Sequence, residues 1–216
     1  MRRLLVLGAG GHGKVVADAA SAARKWAVIE FLDDRHPEHG GLEDWKVIAR
    51  PADIAGVAGA DDDVIVAIGD NARRLAVIEE LQSRGIGVTV VTHPAAVISS
   101  RATLAPGCVV FAGAVINAGA SIGRGCIVNT GAIVDHDCHL DDAVHVAPQA
   151  ALGGNVRVGR RSWVGIGASV RHGVSIGADA MIGAGAAVVA DIGDNVVAMG
   201  VPARVSTRRD SDRAGE

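Results

Sequence analysis

Chemistry-bearing side chains crowd one stretch of this chain: Asn129-Thr130, then Asp135-His136-Asp137-Cys138-His139, with His145 close behind. An imidazole between two carboxylates has the makings of a general base. A carboxylate on Nδ1 fixes the tautomer and leaves Nε2 free to take a proton. Asp135 or Asp137 is placed to do this for His136. The same run looks rich in metal ligands. If the segment is extended, however, successive residues point in different directions, so His136 and His139 do not converge within one chain. No metal site is expected, and the zinc alternative would need ligands from two subunits. His139 reads as a surface residue, and His145 as either a ligand contact or packing at a subunit interface.

A second group of residues lies near the start. Gly8-Ala9-Gly10-Gly11-His12-Gly13 stands between an apolar run, Leu4 to Leu7, and an Ala-rich segment of helical character. Glycines in that strand–turn–helix context let phosphates approach the backbone at a helix N-terminus. About twenty residues on, Asp33-Asp34 ends a second apolar run, where a carboxylate can accept hydrogen bonds from ribose or sugar hydroxyls. Further strands are expected near Trp45–Ala49 and over residues 62–69, ending at Gly69. A helix is expected from Asn71 to about Arg84, and a last strand before His93-Pro94. The motif suits a dinucleotide, a sugar nucleotide, or a chain that merely turns. Some ninety residues are too few for two mononucleotide-binding halves, which favours the sugar nucleotide.

The element that must position His136 is a repeat. From Ile98 to Val188, every sixth residue is Ile, Leu or Val, sixteen positions in succession. Neither a helix, with period 3.6, nor a plain strand, with period 2, sustains a strict six; a β-helix does. Three hexads close one triangular coil of eighteen residues, about five coils in all. Each aliphatic points inward and a small residue sits two places before it. Cys108, Cys126 and Cys138 fall on that small position and read as core thiols. A glycine directly after the aliphatic, as at Gly123 or Gly159, is expected to supply the positive φ of a tight corner. On the edge that carries His136, steps of eighteen give Gly154 and then His172. Coils about 4.8 Å apart would put the two histidines about 10 Å apart, with a gap at Gly154 where a ligand can lie.

The chain thus reads as an α/β Rossmann-like domain over residues 1–94, a β-helix over 95–204 and a disordered polar tail over 205–216. The run Asn195 to Arg204 caps the β-helix. A net charge of −3 with 2% aromatic residues argues against a nucleic-acid surface. No apolar run reaches membrane-spanning length and no signal peptide is apparent, so a cytoplasmic protein without membrane insertion is expected.

The segments GAGGHG, FLDD, AIGDN, VNTGAIVDHDC, ALGGNVRVG and GVPAR, in that order, resemble the NeuD/PglD family of bacterial sugar acetyltransferases, within the hexapeptide-repeat acyltransferases. The resemblance implies a left-handed β-helix, a homotrimer, acetyl-CoA lying in the groove between neighbouring β-helices, and a nucleotide-sugar substrate held by the N-terminal domain. It assigns His136 as the general base and Asp137 as its supporting acid, one methylene shorter than the usual Glu. It assigns His145, Ile166 and Ala184 to the acetyl donor, with His145 a candidate for the oxyanion. Gly10, Gly11, His12, Asp33, Asp34 and Gly69 go to the sugar nucleotide. The implied reaction is direct N-acetylation of a nucleotide-linked amino sugar of the UDP-4-amino type. O-acetylation of a sugar such as sialic acid is an alternative. A non-catalytic sugar-nucleotide-binding protein is another, of a different class.

Overall fold

The computed structural model describes residues 2–208. The chain divides into two compact units at Pro94/Ala95.

The first unit is Rossmann-like. Its elements are β1 (Arg3–Leu7), α1 (Gly11–Ala23), β2 (Val28–Leu32), β3 (Gly41–Leu42), β4 (Trp45–Ala49), α2 (Ile54–Val57), β5 (Asp63–Val66) and α3 (Asn71–Ser83). The sheet order is β3-β4-β2-β1-β5, parallel apart from the antiparallel β3–β4 pair. β1 is central, and Leu4 to Leu7 are buried throughout. A continuous apolar run is what a parallel strand needs when both faces are covered. Leu5, Leu7, Val64 and Val66 pack with Ile78 and Leu81 of α3. The chain leaves β1 to opposite sides, toward β2 and toward β5, so a crevice opens beyond the carboxyl ends of these strands. Gly13 has a steric reason: a Cβ there would collide with the carbonyl oxygen of Gly8.

The second unit is a left-handed parallel β-helix. Two-residue strands run from Val97–Ile98 to Ala187–Val188, and each as far as Ser169–Val170 pairs in parallel with the strand eighteen residues on, as Val134 with Leu152 and Leu152 with Val170. Every inward aliphatic from Val110 to Val188 is buried, while Ile98 and Leu104 in the first coil are half-buried. The three cysteines are buried free thiols, and each Sγ lies 3.0–3.2 Å from a backbone carbonyl. After Val188 the spacing contracts: Ile176 bridges Ile192 and Met181 pairs with Val197, each sixteen residues on. A final antiparallel strand, Arg204–Arg208, pairs with Val196–Met199. Residues 205–208, expected to open a disordered tail, are therefore part of a ladder; the rest of that tail lies outside the described residues.

The corners correct one expectation. Positive φ falls on the third residue after the inward aliphatic, from Gly107 through Asp137 (58°), Ala143, Gln149, Asn155 and Arg161 to Gly185. The glycine directly after the aliphatic serves close approach instead. At Gly159 a Cβ would lie 2.5 Å from the nitrogen of Ala178, and at Gly165 2.5 Å from the carbonyl oxygen of Ile182. These glycines let the next coil settle onto the corner.

Leu140 is fully buried in the prism. Leu140→Ala should cost about 2–5 kcal/mol, measured as a fall in the urea midpoint.

Candidate active site

His136 and Asp137 stand on the corner between the strands Ile133–Val134 and His139–Leu140. His136 Nδ1 lies 2.9 Å from Asp137 Oδ2, and both side chains are exposed, at 61% and 68%. The shorter acid therefore reaches its histidine. It does so because Asp137 occupies the left-handed corner position, a conformation Asp tolerates better than most residues. Two glycines make the room. Asp137 Oδ1 overlies Gly119 in the coil below, and the His136 ring leans over Gly154 in the coil above, closely enough that a Cβ at either glycine would collide with it. The gap expected at Gly154 is thus filled by the imidazole itself. With Nδ1 engaged, Nε2 is the nitrogen left for a substrate proton. The hydrogen bond to Asp137 and, next, the charge of Asp135 raise the His136 pKa above the ordinary histidine value.

His145 is buried. Its Nε2 lies 3.0 Å from Asn129 Nδ2 and its ring packs on Trp163, with centroids 3.9 Å apart. Ile166 and Ala184 are both exposed, one coil apart on the corner that follows Trp163–Val164. That corner is a different edge of the prism from the one carrying His136. Within one chain, then, the structure does not bring His136 together with Ile166 and Ala184. Among the described residues, no three His, Cys, Asp or Glu side chains converge as metal ligands.

In the first unit, Gly10, Gly11, His12, Asp33, Asp34 and Gly69 all line one cavity of about 860 Å³. A Cβ at Gly10, Gly11 or Gly69 would meet nothing within 4 Å, so the backbone here faces open space. α1 has Gly10 at its N-cap, no side-chain cap and no acidic residue in its first turn, which leaves amide donors for an anion. Asp33 departs from its expected role. It is nearly buried, and its carboxylate accepts from the Ala9 N–H at 2.8 Å and from Arg35 Nε at 2.7 Å. Arg35 holds the Asp33 carboxyl far below the usual carboxylate range. Asp33 is the clamp that shapes the glycine loop, while exposed Asp34, paired with Arg73 at 2.8 Å, faces the cavity. Burial, aided by the nearby charge of Arg74, pushes His12 down to about 4, so its imidazole is neutral at physiological pH.

Sequence reasoning missed several residues here. Arg35, Arg73 and Arg84 line the cavity. Arg74 is fully buried and donates to the carbonyls of Ile68 and Gly69, at 2.9 and 3.1 Å, and to Asn71 Oδ1 at 2.7 Å. A signal for Arg74 existed. Asn71, Arg74, Leu75 and Ile78 share the helical spacing of a buried face.

A Rossmann-like unit followed by a left-handed β-helix with a histidine on its corner defines a class, the hexapeptide-repeat acyltransferases. Residues 3–81 match the family described as PglD N-terminal domain, and residues 155–190 match bacterial transferase hexapeptide (six repeats). The acetyltransferase domain of PglB from Neisseria gonorrhoeae FA1090, solved with acetyl coenzyme A, is 41% identical with a TM-score of 0.92. That match covers 95% of this chain and 99% of the other. PerB from Caulobacter crescentus, solved with CoA and GDP-perosamine, is 38% identical with a TM-score of 0.88, covering 94% and 97%. The UDP-N-acetylbacillosamine N-acetyltransferase of Bacillus subtilis (strain 168) is 36% identical over 114 residues, 52% of each chain. The match therefore spans about half the length of that curated relative. The chain belongs to the PglD-like family of sugar acetyltransferases.

Two variants check this geometry. Gly154→Ala should push the imidazole off its seat and lower the rate by about 10²-fold with an unchanged circular dichroism spectrum, read by initial-rate assay. Asp33→Asn should cost about 1.5–3 kcal/mol at pH 7, since charge-assisted bonds are lost. The native Asp33 carboxyl is depressed, so its contribution is present above about pH 3.9 and fades as pH falls below that value. Urea midpoints of both proteins against pH give the comparison.

Proposed function

We propose that the protein transfers the acetyl group of acetyl-CoA to the amine of a nucleotide-linked amino sugar, of the UDP-4-amino type. The observation that carries this reading is the His136–Asp137 pair, whose Nε2 remains for an acceptor. Support comes from two sources. One is the likeness over almost the whole chain to proteins solved with acetyl-CoA, or with CoA and GDP-perosamine; the other is the name of the Bacillus subtilis relative.

In this mechanism His136 Nε2 accepts a proton from the acceptor amine as the nitrogen attacks the thioester carbonyl. Asp137 stabilises the imidazolium that results. The tetrahedral intermediate collapses with loss of CoA as the thiol, and the imidazolium returns the proton to the leaving sulfur. No covalent enzyme intermediate is required, because the thioester is already activated and both substrates meet on one edge. The sugar nucleotide sits in the 860 Å³ cavity, its phosphates on the open first turn of α1 and its cationic rim, its sugar contacted from the loops bearing Gly69 and Asp34.

A homotrimer completes the site in this reading. His136 occupies one edge of the prism and Ile166 with Ala184 another, so a neighbouring copy must supply the second wall of the acetyl donor's groove. His145 belongs to the face next to that second wall. The outward side chains Val97, at 64% exposure, and Ile133, at 41%, lie on one face and offer an apolar contact for the neighbour.

Thiol release with acetyl-CoA and a panel of UDP- and GDP-linked amino sugars, alongside free sialic acid, tests the acceptor. His136→Ala should lower turnover by about 10²–10⁴-fold. Turnover on the hydroxyl acceptor alone would replace the N-acetyl reading by O-acetylation, and a rate unchanged in His136→Ala would remove the base. Because the His136 pKa is raised, kcat/KM should fall as pH drops through a value above about 6.5; Asp137→Asn should move that limb to lower pH. Ile133→Asp should reduce the particle from three chain masses to one in light scattering and abolish turnover with it.

A further inference from the structure

Asp137 is not the only carboxylate held against the candidate base. Asp135 Oδ1 accepts two hydrogen bonds, from the backbone N–H of His136 at 2.8 Å and from Asn117 Nδ2 at 2.7 Å. Asn117 stands eighteen residues earlier, in the coil directly below, and its strand pairs in register with that of Asp135. Neither residue has a role in the mechanism above.

The setting is unusual for this β-helix. Asn117 and Asp135 occupy the position directly after the inward aliphatic, which six hexads fill with glycine because the next coil presses on it. The coil above Asp135 and His136 keeps Gly153 and Gly154. The corner therefore carries a polar pair below and bare backbone above. The charges around the imidazole are few: Asp135 and Asp137 on its own corner, none from Asn117 or Gly119 below, none from Gly153 or Gly154 above, and Arg171 with His172 two coils up.

We propose that Asn117 and Asp135 are positioning residues for His136. Asn117 fixes the Asp135 carboxylate, which clamps the backbone of His136 at the corner and brings a second negative charge near the imidazole. Asp137 sets the tautomer through Nδ1. Asp135, held by two donors on Oδ1, sets where the ring starts from and adds to the field that stabilises the imidazolium. Asn117 and the His136 amide also hold the Asp135 carboxyl below its usual value, so it is charged wherever the base works. This role rests on His136 being the general base.

The test uses the full-length protein and three variants, Asp135→Asn, Asn117→Ala and His136→Ala. Two readouts are taken: the pH profile of kcat/KM, and the titration of the His136 ring followed by NMR without substrate. Asp135→Asn keeps shape and hydrogen bonding but removes the charge. It should move both the acid limb and the ring titration to lower pH. Asn117→Ala should lower kcat by about tenfold, a part of the roughly 10²–10⁴-fold that a general base contributes, with KM for acetyl-CoA within about twofold of the wild-type value. Thermal melts show whether each variant is folded. If His136→Ala is inactive while Asp135→Asn and Asn117→Ala leave the ring titration and kcat unmoved, this inference is overturned and the base assignment stands. If His136→Ala keeps its activity, the base assignment itself fails and this role goes with it.

Discussion

Parallel pairing of residue n with residue n + 18 is the constraint on which the second unit depends. Each strand is only two residues long and could not persist alone. Stacking turns sixteen such fragments into continuous ladders and aligns identical positions in columns about 4.8 Å apart. The aliphatic column becomes the core and the polar columns become the surface. The candidate catalytic corner is a vertical event in this scheme: Gly119 lies beneath Asp137, Gly154 lies above His136, and Asn117 lies beneath Asp135. The imidazole is oriented by neighbours that are remote in sequence and adjacent in space.

The first unit follows a different logic. Its cavity is shaped by charges buried behind the loops rather than by a repeat. Asp33 ties the glycine loop to β2 through Ala9, and Arg74 ties the loop after β5 to α3 through the carbonyls of Ile68 and Gly69. Both groups have their charge met by hydrogen bonds, which makes ionised groups in sheltered positions tolerable. The open glycine backbone can then face the cavity without itself being floppy.

How far the sequence shows this differs by level. The hexad period and the strand–turn–helix context of the glycine loop follow from spacing, because both are local properties, whereas the grouping of Gly10, Gly11, His12, Asp33, Asp34 and Gly69 comes from the family resemblance and is met by one cavity. The glycines after the aliphatic mislead for a physical reason. Gly123 and Gly159 look like turn residues, yet steric pressure from the following coil, and not backbone conformation, selects them. Asp33 reads as a sugar ligand until its partners are seen, since a carboxylate at a strand end suits a hydroxyl and a backbone amide equally well. Arg74 and Asn117 were legible in principle, one through a helical buried face and the other through a step of eighteen applied to Asp135 rather than to His136. The strand at Arg204–Arg208 was not, because polar composition hides a ladder whose pairing is made by backbone.

The two periods carry different instructions. Inward packing asks only that an aliphatic recur every six residues, so an insertion of six would leave the core satisfied. The prism has three edges, however, and such an insertion would turn every later corner by one edge. Placed between Val134 and Val164, it would move Ile166 and Ala184 onto the edge that now carries His136 while the inward aliphatic column stayed filled. The core therefore reads this sequence modulo six, while the arrangement of corners is read modulo eighteen. Length variation that the aliphatic core alone would tolerate rearranges the corners in two cases of every three.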